Sequence, residues 1–133
     1  AGGRGVAFAP VGAFVVVTTV GTEEQANLIA SELVARRHAS CVNIVTGVRS
    51  VYRWQGKICR DAEFLLIVKT LESEYAAVQA AIQELHSYEL PEILAFKVCK
   101  SEEKFLAWIG ASLDKSAPFS DEEERELLDE SNY

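Results

Sequence analysis

The sequence predicts an α+β fold of ferredoxin-like type: a β-α-β-β-α-β sandwich of one antiparallel sheet and its helices, carrying a long β-hairpin arm and an extra C-terminal helix. Three observations lead there. Apolar β-branched runs alternate with segments of helical spacing in the order β-α-β-β-α-β-α. Two adjacent extended segments are more than twice the usual strand length of about 5 to 6 residues. At 133 residues, 49% hydrophobic and 25% charged, the chain has the size and balance of one compact domain.

Each element has its own signal. "FVVVTTV" (14–20) is short and β-branched, as a buried strand is. "TEEQANLIASELVARRH" places Ala26, Ile29, Ala30, Leu33 and Val34 on one helical face, and Thr22 with Gln25 forms a capping-box pattern at its start. "CVNIVTGVRSVYRWQ" (41–55) and "KICRDAEFLLIVKTL" (57–71) meet at Gln55-Gly56-Lys57, where Gly56 accepts the positive φ of a tight hairpin. Gly47 marks a bulge or bend within the first arm. "SEYAAVQAAIQELH" (73–86) is helical through Ala77, Val78, Ala81, Ile82 and Leu85, and "EILAFKVC" (92–99) reads as the last strand. "EEKFLAWIGASL" (102–113) is a third helix, and a short acidic helix starts at Ser120. The expected organisation is a flexible N-terminal segment (1–10), a folded domain (11–115) and an acidic tail (116–133).

In "EFLLIVKT", Phe64, Leu66 and Val68 point to one face while Leu65 and Ile67 point to the other; Val42 with Ile44, against Val45, behaves similarly. Helices on one side leave the second apolar face uncovered. Another copy of the chain is its natural cover, so a homo-oligomer is expected.

Charge and cysteine content narrow the function. The formal net charge of −7 is concentrated in residues 121–133, which hold seven acids and one base. The remainder is nearly neutral, and no basic stripe points to nucleic acid. No apolar run approaches the roughly 20 residues of a membrane span, so a soluble protein is expected. Cys41, Cys59 and Cys99 are odd in number and widely spaced, which fits neither a disulfide framework nor a zinc motif. A reducing compartment follows, the cytoplasm or an organelle reached after presequence removal.

The stretch "LHSYELPEILAF" (85–96) crowds polar groups between a helix and a strand. A neutral His86 imidazole can ligate copper or another divalent cation, Glu89 offers an oxygen, and Cys41 a soft sulfur. Structural readings stand beside these: His86 as a helix terminator, Cys41 as a small buried group, and Tyr88, Pro91 and Glu92 as parts of a joint. Tyr52 and Trp54 near the arm's tip, flanked by Arg53 and Lys57, suit an interface between chains. Glu63 and Lys69 share one face of a strand about 20 Å apart, too far to pair with each other. Across a subunit boundary Lys69 can meet Glu89 or Tyr88 in a polar pocket. Cys59, nearer the exposed arm, is open to oxidation. No nucleophile-base motif, P-loop or dinucleotide fingerprint is present, so no enzymatic activity or organic cofactor is expected.

Together "ASCVNIVTGVRSVYRWQGK", Glu63 with Lys69 and Thr70, and "HSYELPEI" resemble the CutA divalent-cation tolerance proteins over about residues 13–113. The resemblance implies a homotrimer of ferredoxin-like subunits whose sheets face one another about a threefold axis, with hairpin arms reaching neighbouring subunits. It implies a link to tolerance of copper and other divalent cations in bacteria, to acetylcholinesterase anchoring and maturation in animals, and plastid residence for some plant members. Where the family usually has His-Pro-Tyr, this chain has His86-Ser87-Tyr88. Where some bacterial members carry a cysteine and a second histidine proposed as copper ligands, it has Thr18 and Leu85. The expected function is weak divalent-metal binding or metal homeostasis without catalysis; a PII-like small-ligand signalling module and an interaction scaffold are the alternatives.

Overall fold

The computed structural model describes residues 12–128; the N-terminal segment expected to be flexible lies outside them, as does the end of the acidic tail. Four strands, β1 (Ala13–Val20), β2 (Cys41–Trp54), β3 (Lys57–Leu71) and β4 (Leu94–Lys97), form one antiparallel sheet in the order β2-β3-β1-β4. Helices α1 (Glu23–Ala35), α2 (Tyr75–Leu85), α3 (Glu103–Ser112) and α4 (Asp121–Leu128) complete the α+β architecture.

The core lies between α1, α2 and one face of the sheet. Val16, Val20, Ile29, Leu33, Leu66, Val68, Val78 and Ile82 are fully buried there. At about 1.5–3 kcal/mol for each large apolar side chain, this layer supplies most of the subunit's stabilisation. Thr18 is buried in the same layer, and its Oγ1 has no hydrogen-bond partner among the described residues.

The hairpin is built as the sequence indicates, with one addition. Gln55 and Gly56 both have positive φ, 51° and 76°, which is the pattern of a two-residue type I′ turn. Gly47, with φ 76°, sits in a bulge: Val45 pairs with Leu65 and Val48 with Glu63, so three steps along β2 answer two along β3. The extra residue reverses the parity of β2. Cys41, Asn43 and Val45 before the bulge therefore share a face with Val48, Ser50, Tyr52 and Trp54 after it, opposite Lys57, Cys59, Asp61, Glu63, Leu65, Ile67 and Lys69 of β3.

Two expectations need correction. The last strand is four residues long and not eight, because β1 pairs with it only from Phe14 to Val17. The second sheet face is not wholly uncovered by helices. Ala13 and Leu71, which share parity with Val15 and Lys69, pack with Val98 against Leu106 and Ile109 of α3 and Leu113 at its C-terminal cap. The extra helix thus closes one end of that face. The rest stays open, with Leu94 53% and Phe96 54% exposed beside Val15 and Val17.

Among the described residues no helix is long and apolar enough to cross a membrane.

Candidate functional site on the open sheet face

The bulge and the alternation of β3 bring most of the sequence-selected residues to one surface. Cys41, Tyr52, Trp54, Lys57, Glu63 and Lys69 all belong to the open face, which Leu65, Ile67, Leu94 and Phe96 make apolar. Cys41 lies directly opposite Lys69, and Trp54 opposite Lys57. Lys69 is half-buried at the edge of this apolar floor, while its main-chain carbonyl accepts from both N–H and hydroxyl of Ser40.

Two phenol–carboxylate pairs stand along β3. The Tyr88 hydroxyl donates to Glu63 Oε2 at 2.7 Å, and the Tyr52 hydroxyl donates to Asp61. Glu63 is buried, 7% exposed, so the phenol satisfies a carboxylate that has little access to water. Burial, and then Glu63, push the Tyr88 phenol well above its ordinary value; the bond to Asp61 raises Tyr52 to about 12. Both hydroxyls are therefore protonated donors at neutral pH. Gly21 leaves room for the ring: a Cβ there would stand 3.0 Å from the Tyr88 hydroxyl.

Sequence reasoning placed Tyr88 or Glu89 with Lys69 across a subunit boundary; within one chain the Tyr88 hydroxyl meets Glu63. Glu63 and Tyr88 are 25 positions apart, and only the fold brings them together.

His86 ends α2 with extended backbone (φ −77°, ψ 140°). Its Nε2 is 2.7 Å from the Thr19 carbonyl, an acceptor, so this nitrogen carries the proton. Its Nδ1 accepts the Tyr88 N–H at 3.1 Å. Both ring nitrogens are thus occupied in the joint between α2 and β1, and the ring lies 4.6 Å from that of Tyr88.

Gln25 completes the joint in a way the capping-box pattern did not indicate. The Thr22 hydroxyl accepts from Gln25 N–H, as a cap does. The Gln25 side chain turns away to donate to the Leu85 carbonyl and to accept the Ser87 N–H at 2.6 Å. One amide therefore ties the start of α1 to the end of α2.

Glu89 is exposed in the same loop. No group of three or more His, Cys, Asp or Glu side chains among the described residues is placed to hold a metal ion. Cys41, His86 and Glu89 do not converge within one chain.

The comparisons agree with this architecture. The profile of the CutA1 divalent ion tolerance proteins matches residues 14–112. The chain is 43% identical over 95 residues to the divalent-cation tolerance protein CutA of Thermus thermophilus, covering 71% of this chain and 92% of that one. It is 39% identical over 106 residues to the chloroplastic protein CutA 1 of rice, covering 80% of this chain but only 60% of the relative. Among solved structures, CutA1 from Oryza sativa superposes with a TM-score of 0.76 at 38% identity, covering 79% of this chain and 96% of that one. The Thermus thermophilus protein superposes with a TM-score of 0.71 at 42% identity, over 73% and 94% of the two chains. The chain is a member of the CutA1 divalent ion tolerance family.

Proposed function

We propose that the protein works as a homotrimer and takes part in divalent-cation tolerance by binding metal weakly at the seams between subunits, without catalytic turnover. The open sheet face carries this reading. Val15, Val17, Leu65, Ile67, Leu94 and Phe96 form an apolar surface at the centre of the sheet, and a polar set of Cys41, Glu63, Lys69, Tyr52 and Tyr88 runs along the same side. Copies packed on that surface bury the apolar part and bring polar groups of different chains together.

Assembly supplies what a single chain lacks. A durable metal site needs three or four ligands, and copies meeting at a seam pool Cys41, Glu89 and His86. His86 joins such a site only by giving up one of its two hydrogen bonds to the backbone, which keeps its affinity low. Copper, or another divalent cation that accepts imidazole and carboxylate, is the cation class this donor set suits.

Calorimetric titration with Cu2+ and Zn2+ tests the reading. The assembled protein takes up cation in a fixed ratio to chains, and Cys41→Ser with Glu89→Gln weakens uptake. Uptake that is the same in this variant as in the unaltered chain removes these residues from the metal site.

A further inference from the structure

The hairpin arm has a second side, turned away from the open sheet face. Once the extra residue at Gly47 is included, Arg49, Val51 and Arg53 of β2 share this side with Ile58 and Arg60 of β3. Val51 lies opposite Arg60, and Arg53 opposite Ile58. The helices α1 and α2 cover this side of the sheet only as far as Phe64, so Val51 is 64% and Ile58 61% exposed. Tyr52 and Trp54 belong to the other side.

Charge sets the outer side of the arm apart. Residues 48–60 hold four bases and no acid, in a chain of net charge −7. Arg49, Arg53 and Arg60 are exposed and form no ion pair among the described residues. Arg49 and Arg53 stand about 13 Å apart along β2, and Arg60 lies midway between them on the adjacent strand.

The acidic C-terminal segment is the natural counterpart, yet within its own chain it is fastened elsewhere. Arg37, only 9% exposed and with φ 58°, donates to the Asp114 carbonyl at 2.8 Å, pairs with Glu123 at 3.4 Å and lies 4.3 Å from the centre of the Phe119 ring. Ser120 caps α4 by accepting the Glu123 N–H. Held in this way, α4 stands beside Ala30, Val34 and Val42. Arg49 is about 20 Å beyond Val42 along β2.

We infer that the arginine side of the arm docks the acidic segment 121–133 of a second copy of the chain. Glu123 is held by Arg37, and Glu126 has an interaction of its own. Without these two, the segment still carries Asp121, Glu122, Glu124, Asp129 and Glu130 against a single base, Arg125. The rest of the chain is nearly neutral, so no other segment offers a comparable surplus of acid. In sequence, Leu127 and Leu128 part the two groups of acids and give the segment an apolar complement to Val51 and Ile58. Arginine suits carboxylates through its planar fork of donors. Nucleic acid fits less well: the aromatic rings on which bases would stack lie on the other side of the arm, and the net charge of −7 opposes a polyanion. An anionic membrane surface would likewise find no Trp or Tyr on this side.

A fluorescein-labelled peptide of residues 119–133, titrated by anisotropy, tests the docking. The receptor is the full chain carrying Asp121→Asn/Glu122→Gln/Glu124→Gln, so that its own tails compete less. One saturable site per chain is expected, weakened by added salt. Introducing Arg49→Gln/Arg53→Gln/Arg60→Gln should lower the affinity at least tenfold, as three weakened charge contacts imply. Circular dichroism and sedimentation confirm that each variant folds and assembles as the unaltered chain does. The unaltered chain, its arms engaged by tails of other copies, should bind the peptide severalfold more weakly than the neutralised receptor. No saturable site, an unchanged affinity in the triple glutamine variant, or equal affinity for a scrambled peptide of the same composition overturns the inference. Equal binding by the unaltered chain also overturns it, and so does tighter binding of oligothymidylate or of phosphatidylserine vesicles than of the peptide.

Discussion

Residues 64 to 70 of β3 carry two environments a single position apart. Leu66 and Val68 are fully buried under α1 and α2, whereas Leu65 and Ile67, equally apolar, remain half-buried on the open face. The chain has therefore covered one face with its own helices and only one end of the other, through α3. The first face folds the subunit. The second leaves Leu94 and Phe96 exposed, and Cys41, Tyr52, Glu63 and Lys69 lie along it.

The comparison is broken most severely at Leu66. Leu66→Ala should destabilise the subunit by about 2–5 kcal/mol in denaturant unfolding, as cavities in close-packed cores do. Ile67→Ala on the open face should lower the unfolding free energy of a dilute subunit by less than half as much and act chiefly on association. Similar losses at the two positions would mean that the faces are not distinct.

Next in size is Tyr88→Phe. It leaves the buried Glu63 carboxylate without the phenol that donates to it, a loss of about 1–3 kcal/mol measured by urea unfolding. An unchanged midpoint would mean that water reaches Glu63.

Thr18→Val sharpens the contrast from the core side, since its hydroxyl is buried without a partner among the described residues. The near-isosteric exchange removes that desolvated group and should raise stability by about 1 kcal/mol. A loss would reveal a polar role for Thr18.

The smallest effect concerns the acidic helix. Glu123 is held below its ordinary 4.5 by the Ser120 N–H and by Arg37, and Asp114 below 3.8 by Ser116. Folded-state values lower than unfolded ones give a contribution that is complete above the ordinary values and is lost as pH falls through the depressed ones. The segment 114–123 should therefore loosen on acidification below about pH 4.5. Nuclear magnetic resonance shifts of the Ser120 and Glu123 amides report it; signals unchanged to pH 2 would show that these carboxylates do not hold the segment.

Local chemistry made much of the fold legible. The strand and helix order, the Thr22 cap, the turn at Gly56 and the irregularity at Gly47 are each encoded within a few residues, and the structure places them there. What escaped depends on distance in sequence. Gln25 bridges to Leu85 and Ser87, and Arg37 grips residues 77 to 86 positions away. No periodicity announces such bonds, and a non-glycine residue at φ 58° is not announced by the arginine side chain. The candidate residues were legible as a set, yet their shared face was not. Counting alternate residues from Cys41 puts Tyr52 and Trp54 on the wrong side until the extra residue of the Gly47 bulge is included. The engagement of His86 was equally hidden, because its partners are main-chain groups that every residue carries.

Sedimentation equilibrium at micromolar concentration measures most directly whether the open face is a subunit interface. A mass of three chains, reduced to one folded chain by Phe96→Lys, is the expected result. A folded single subunit in the unaltered protein, stable on dilution and insensitive to Phe96→Lys, would contradict it.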